Sequence, residues 1–508
     1  MPKTRIAAID IGSNSIRCIV AEAAKAGRFR VLDDEKVTVR LGENLTKTGL
    51  ISAEASERTI EAIRRFQKFL SGFKVGVVEA VATSAVRKAG NGKELVRILS
   101  RELGHEVRII SGEEEAELAA TSALFNFDMN GKRYAMADIG GGSLEVVTAF
   151  GNHIEECYTF DLGTVIMTEQ FLSSDPIKAA ELKQLQRHIR ACLKKTFGKE
   201  KITADTLIGS GGTITSLGWM VMNKLKESYA SIHGYEMLHS EVIHQHAMLI
   251  RKDLKGRGTI SGLNPDRADI IVAGVTVIDE LMKFFNANRL LVNERGIREG
   301  LIIRAMKRQG LIAEVPSPRD WREVVMEFAR SCHVDEPHAL HVAHLALSIF
   351  DSLAVPFELS ENDRKILEAA SILHDVGYFI GYSSHHKHTY HLIRHADLYG
   401  FSSRDRELMA QIARYHRKSP PKRKHAAFQA LHDKDRLIVS RLGGILRMAD
   451  GLDRRRAGLV HEVSCELRGK EITINLESTE DISVEIFGAN TKKDLFEKAF
   501  GAGAVFVA

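Results

Sequence analysis

The sequence predicts an α/β chain built of two related lobes, followed by an all-helical domain and a small α+β tail. Three observations carry that expectation. The segment Ala7-Ala8-Ile9-Asp10-Ile11-Gly12-Ser13-Asn14-Ser15 recurs as Ala135-Met136-Ala137-Asp138-Ile139-Gly140-Gly141-Gly142-Ser143. A break at Gln309–Pro318 holds two of the nine prolines, Pro316 and Pro318. Beyond it, Trp321 to about Arg456 keeps helical spacing, and strand-like alternation returns from His461.

Each copy of the repeat reads as an apolar strand, an Asp, a tight Gly/Ser turn and a second strand. The second strands are Ile16–Ala21 and Leu144–Thr148, where β-branched residues dominate. Ser52 caps a helix over Ser52–Leu70, with Ile60, Ile63, Phe66 and Phe69 at helical spacing. Gly92–Leu103 and Glu113–Phe125 read as further helices, separated by strands Val75–Ala82 and Glu106–Ile110. The α/β pattern continues from Asp175 and closes on a helix over Ile297–Lys307. In the tail, Glu471–Leu476 and Ile482–Phe487 alternate as strands, with one helix at Lys492–Phe500. The expected domains are therefore 1–125, 126–308, 317–458 and 459–508.

With 44% hydrophobic and 27% charged residues, the chain has ample material for buried cores, which excludes disordered and fibrous classes. Met1–Arg5 leads straight into a strand without an apolar leader. The longest apolar stretches, such as Ile270–Ile278, fall short of the roughly 18 residues that span a bilayer. Cys18, Cys157, Cys192, Cys332 and Cys465 are scattered without CxxC spacing, against both a disulfide framework and a cysteine-built zinc site. A cytoplasmic protein with no membrane partner is expected. The net charge of +5 is mild, but basic residues bunch at Arg417, Lys418, Lys422, Arg423 and Lys424 and again at Arg454-Arg455-Arg456. Such runs are most often solvated faces.

The repeated turn carries the chemistry. A glycine- and serine-rich hairpin turn aims several backbone N–H groups at one point, a cradle for phosphate oxygens. The Asp at the strand end can hold a divalent cation, directly or through water. Two such hairpins in opposed lobes would grip a phosphate chain and its metal from both sides. A third glycine-rich element, Gly209-Ser210-Gly211-Gly212-Thr213, follows strand Thr206–Ile208 and opens a helix, so an anion could sit at Gly211, Gly212 and Thr213. Ala82-Thr83-Ser84-Ala85-Val86-Arg87 ends a strand with hydroxyls, Ser84 among them, and an arginine suited to phosphate. Ile110-Ser111-Gly112-Glu113-Glu114-Glu115-Ala116 starts a helix, where acidic residues ordinarily serve the macrodipole.

These segments, in this order, resemble the exopolyphosphatase / guanosine pentaphosphate phosphohydrolase family. The resemblance rests on Asp10–Arg17, Ala82–Arg87, Ser111–Ala116 and Asp138–Glu145. It extends through Gly209–Thr213, Asn264–Gly274 and Gly296–Leu301, and so covers about the first 300 residues. It implies two ribonuclease-H-like lobes of the actin, sugar kinase and heat-shock ATPase fold. It also implies that Glu115 is the general base that deprotonates the attacking water, and that Asp10, Asp138 and Glu145 hold Mg2+. Ser13, Asn14, Arg17, Arg87, Gly140, Gly141, Gly142 and Ser143 would bind the terminal phosphates. These roles suit phosphoryl transfer, which needs positioning and charge neutralisation more than covalent chemistry. A homodimer is a further expectation of the resemblance.

In the helical domain, His338, His374-Asp375, His388, His416 and Asp450 follow in sequence and look like the HD metal-phosphohydrolase motif, which implies either a second divalent-metal site or helices kept as a structural relic of one. Two other classes compete with a hydrolase. A kinase of the same fold would pass phosphate to a small acceptor, whereas the Ser111–Ala116 segment favours water. A polyanion binder without activity would need only the basic runs and would gain nothing from carboxylates beside phosphate. Inorganic polyphosphate and pppGpp both end in a linear phosphoanhydride, and the basic runs favour the polymer. No nucleic-acid partner is expected.

Overall fold

The first echo folds as the antiparallel pair β1 (Arg5–Ile11) and β2 (Ser15–Ala23), whose buried residues include Ile6, Ala8, Ile9, Ile16 and Val20. The computed structural model describes residues 4–23, 28–129, 131–198, 202–312 and 320–508. With β3 (Phe29–Thr38), β4 (Val77–Ala82) and β5 (Val107–Ile109), the pair forms a sheet in the order β3-β2-β1-β4-β5. The second echo is β6 (Arg133–Ile139) and β7 (Leu144–Phe150). It joins β8 (His153–Phe160), β9 (Thr206–Ser210), β10 (Glu236–Leu238) and β11 (Arg289–Asn293) in the order β10-β11-β9-β6-β7-β8. In both sheets the hairpin lies beside a parallel strand, β4 next to β1 and β9 next to β6. The two lobes of the actin-like class, with an all-helical region and a small sheet after them, are thus borne out.

The register places equivalent residues opposite one another. Asp10 faces Arg17 across the first hairpin, and Asp138 faces Glu145 across the second. The two copies therefore differ in the sign of the charge beside the Asp.

Helix Ala53–Phe73, capped by Ser52, and helix Gly92–Leu103 cover one face of the first sheet, burying Ile63, Phe66 and Leu99 against Ile9, Ile16 and Val20. Helix Gly112–Asn126 has no single apolar face, because it is buried on both sides. Leu118 packs with Ile6, Ala8, Ile19 and Val81 of the first sheet, while Ala116, Ala120 and Ala123 pack with Met136, Val147 and Ala149 of the second. Helix Ile297–Arg308 crosses it so closely that a Cβ on Gly300 would lie 2.2 Å from the Leu118 carbonyl oxygen. That crossing fixes the helix that begins with the acidic triplet.

Two compact units are distinguished, one comprising the described residues up to 312 apart from 226–231, the other the described residues from 320 on together with 226–231. Most of the proline-bearing segment, residues 313–319, lies outside the described residues. In the second unit, helices Glu336–Leu353, Glu361–Leu373, Ser403–Arg414 and Asp433–Leu452 share one core with β12 (Glu462–Arg468), β13 (Glu471–Glu477) and β14 (Gly503–Val507). The strand expected at Ile482–Phe487 is a helix, Ser483–Asn490. Its alternating letters hide a helical burial pattern: Ile482, Glu485 and Ala489 are buried, whereas Val484 and Phe487 are exposed. Gly488 lets this helix lie against the Gly451 carbonyl, where a Cβ would meet oxygen at 2.5 Å.

Candidate active site

The two hairpin turns close in the same way. The Gly12 N–H donates to the Ser15 carbonyl at 3.2 Å, and the Gly140 N–H to the Ser143 carbonyl at 3.0 Å. The turns meet tip to tip. A Cβ on Gly142 would lie 2.5 Å from Ser13 Oγ and 2.8 Å from Ser84 Oγ, so no larger residue fits there. The Thr164–Phe171 helix rests on the second turn, its Thr164 and Val165 N–H groups donating to the Gly140 and Gly141 carbonyls.

One cleft gathers Asp10, Ser13, Asn14, Arg17, Ser84, Glu115, Asp138, Gly140–Ser143, Glu145, Gly211 and Gly212. Of the sequence-predicted residues of this site, Arg87 and Thr213 are not on its wall. Arg87 stands behind Glu115, donating to Glu115 Oε2 at 3.1 Å and to the Ile110 carbonyl at 2.8 Å. Thr213 is buried with its Oγ1 lacking a hydrogen-bond partner. Gly211, at φ +100°, turns the chain under Asp138, where a Cβ would lie 2.4 Å from the Ile139 carbonyl oxygen.

Asp10, Glu115, Asp138 and Glu145 share this space, with Glu294 also on the wall. Burial lifts Glu115 to about 8 against the pull of Arg87, and the charges of Asp10 and Asp138 add to the rise. Asp10 and Asp138 are each raised to about 6, chiefly by withdrawal from water. Glu145 lies well above the usual carboxylate range, through burial and the neighbouring Glu115. Asp10 Oδ1 and Glu145 Oε1 are buried without a hydrogen-bond donor. Clustered acids with orphaned oxygens fit a divalent cation, which would supply the missing partner and relieve the repulsion.

Sequence reasoning assigned no role to Arg267 and Arg298, although the segments containing both had been singled out. Both guanidinium groups are buried and line the cleft. Arg267 lies against Gly212, where a Cβ would overlap its guanidinium at 2.0 Å, and Arg298 pairs with Asp34. The room for Arg267 is made by Gly212, which is distant in sequence, so no local signal marked it.

The second unit has its own cluster. His338, His374 and Asp450 form one group with ligand atoms within 4.8 Å of one another, and Asp375, His385 and His416 form another. His388 is in neither. It lies on helix His385–His395 one turn away from His385, which takes the expected place. Of the basic runs, Lys422, Arg423 and Lys424 are exposed. Arg455 and Arg456 are committed to Glu485 and Asp375, so that run is not a free solvated face.

The sequence pattern of the Ppx/GppA phosphatase family matches residues 18–309, and that of Ppx/GppA phosphatase domain III matches residues 322–497. A solved Ppx/GppA family member from Aquifex aeolicus is 28% identical, with a TM-score of 0.54 over 61% of this chain and 99% of that one. A solved exopolyphosphatase from Cytophaga hutchinsonii is 26% identical, with a TM-score of 0.57 over 60% of this chain and 98% of that one. No described helix is long and apolar enough to cross a membrane. The family pattern takes in more than half of the sequence and contains Glu115, Asp138, Glu145, the Gly140–Gly142 turn and the Gly209–Thr213 element; the chain belongs to the Ppx/GppA phosphatase family and is a hydrolase.

Proposed function

We propose that the chain is an exopolyphosphatase that removes the terminal phosphate of inorganic polyphosphate, with Glu115 as general base and Mg2+ as cofactor. The observation that carries this reading is the placing of Glu115. It is a buried carboxylate whose proton affinity is raised to about 8, oriented by Arg87 at the wall of a cleft made of phosphate-cradling turns. A base with a pKa near the working pH takes a proton in the transition state most effectively.

In this mechanism Ser13, Asn14 and the turn Gly140–Ser143 hold the terminal phosphate, with Arg17, Arg267 and Arg298 offsetting the charge of its oxygens. Glu115 accepts a proton from a water molecule as that water's oxygen bonds to the terminal phosphorus. The bridging P–O bond breaks, and inorganic phosphate and a chain shorter by one unit are released. Asp10, Asp138 and Glu145 would hold Mg2+, which when bound neutralises charge on the phosphate oxygens.

The same cleft fits the 5′ end of pppGpp, and the exposed Lys422-Arg423-Lys424 run favours the polymer, since successive phosphates can use additional cations. Phosphate release measured in parallel on long-chain polyphosphate, pppGpp and ATP tests the assignment. Faster release from polyphosphate supports it, and release from pppGpp alone refutes it. Cytoplasmic location and a homodimer complete the proposal.

A further inference from the structure

Asp10, Arg17 and Lys36 stand in one row across the first sheet. Asp10 is paired with Arg17 between β1 and β2, and Arg17 with Lys36 between β2 and β3. Because β3 is the edge strand, the row runs from the carboxylate centre out to the rim of the sheet. Residues directly opposite on adjacent strands share a face and lie about 5 Å apart. Lys36 is exposed, one such step beyond Arg17, which is on the cleft wall.

Like charges set directly opposite one another destabilise a sheet, and the surroundings do not relieve this pair. Three acids precede Lys36 on β3, and the two nearest are engaged elsewhere, Glu35 with Arg65 at 3.0 Å and Asp34 with Arg298. Arg267 adds a third cation, which burial and the charge of Arg17 lower to about 10. Lys36 is itself held below its ordinary value by partial withdrawal from water and by the charges of Arg267 and Arg17. Among the described residues, Arg17, Lys36 and Arg267 form no ion pair with a carboxylate. A cluster of this kind is relieved by an anion from outside the chain.

Past Asn14 the sign reverses. A pocket that shares Ser13, Asn14 and Ile270 with the cleft is lined by Glu43, Glu169, Asp266 and Asp269 around Arg40. A polyanion is repelled from that side and drawn along the row of Arg17 and Lys36.

We infer, on the basis of the proposed function, that Lys36 is a specificity-determining residue that binds the phosphates trailing the terminal one, so that the chain leaves the cleft across β2 and β3 rather than past Asn14. Arg17 and Arg267 stay with the terminal unit. Lys36 adds a contact that a linear phosphoanhydride can use and that orthophosphate, filling the terminal place alone, is too short to reach. The ammonium group is a compact charge on a flexible stem, suited to successive phosphates in slightly different positions.

Binding to the full chain carrying Glu115→Gln, chosen to hold substrate without cutting it, tests the inference. Tripolyphosphate and orthophosphate are titrated calorimetrically into that protein and into versions with Lys36→Gln or Lys36→Arg added. Lys36→Gln should weaken tripolyphosphate by roughly three- to tenfold, the loss of one charge-assisted contact, and the deficit should shrink at high salt. Orthophosphate should lose far less. Lys36→Arg should restore most of the tripolyphosphate affinity, which a damaged fold would not permit. In the active chain Lys36→Gln should act on polyphosphate through KM rather than kcat. Equal weakening of both probes, no weakening of either, or an effect confined to kcat would overturn the inference. Phosphate release from pppGpp alone by the unsubstituted chain would strike the polyphosphate reading instead, and the tripolyphosphate titration would still decide the role of Lys36, since a 5′-triphosphate has trailing phosphates of the same kind.

Discussion

Glu115→Gln should inactivate the hydrolase and stabilise it in the same step. The amide keeps the shape of the side chain and can still meet Arg87 through its oxygen, but it cannot accept the water's proton. Loss of a general base costs roughly 10²–10⁴-fold in turnover. For stability, the carboxyl titrates at its ordinary 4.5 when unfolded and at about 8 when folded. Between those values the unfolded chain has released the proton and the folded chain retains it, so stability falls as pH rises through the window. At pH 7 that difference amounts to about 3 kcal/mol, and the uncharged variant escapes it. Denaturant unfolding in EDTA at pH 5 and pH 8 reads the effect. The gap between the variant and the unsubstituted chain should widen towards pH 8, while phosphate release collapses. A variant that turns over at a near-unaltered rate would refute the base assignment. A gap that does not widen with pH would refute the buried, proton-holding carboxyl.

Asp10→Asn and Asp138→Asn should each raise the Mg2+ concentration needed for half-maximal turnover by about tenfold or more, as loss of one charged ligand weakens a cation site; unchanged magnesium titrations would rule out a metal shared between the lobes. Because Arg87 pulls the Glu115 pKa down, Arg87→Ala should move the acid limb of the kcat/KM profile to higher pH, beyond any loss of rate; a profile of lower height and unchanged position would refute the electrostatic role of Arg87 beside Glu115. Neutralising Lys422, Arg423 and Lys424 together should weaken long-chain polyphosphate several-fold more than triphosphate, with the difference fading at high salt, where the Debye length falls to about 3 Å at 1 M. Equal losses on both substrates would make the run a solvated surface.

Much of the first centre was legible because its geometry is local. Strand, Asp, tight turn and strand fix Asp10 opposite Arg17 and Asp138 opposite Glu145 by antiparallel register alone. What was not legible depends on contacts distant in sequence. Arg267 and Arg298 reach the cleft from segments more than a hundred residues beyond the second hairpin, and nothing in their own neighbourhoods shows which way they point. His388 was preferred to His385 within a run of closely spaced histidines, and only the start of the helix after Ser384, at φ +61°, decides which imidazole turns inward. Ile482–Phe487 alternates as a strand would, yet its burial follows helical spacing against Gly451, a partner no local window contains.

The contact between the two turn tips has a bearing on where a polymer is cut. Gly142 against Ser13 and Ser84, with Lys88 donating to the Gly142 carbonyl at 3.1 Å, makes a partition with a pocket on either side. Under the proposed function, a linear polyanion entering the carboxylate side would stop at this contact, with its final unit beside Glu115 and the rest of the strand trailing outward. Internal linkages would reach Glu115 only if that barrier parted. On this reading, the choice of end over middle follows from one glycine and two serines pressed together, without any device that recognises a terminus as such.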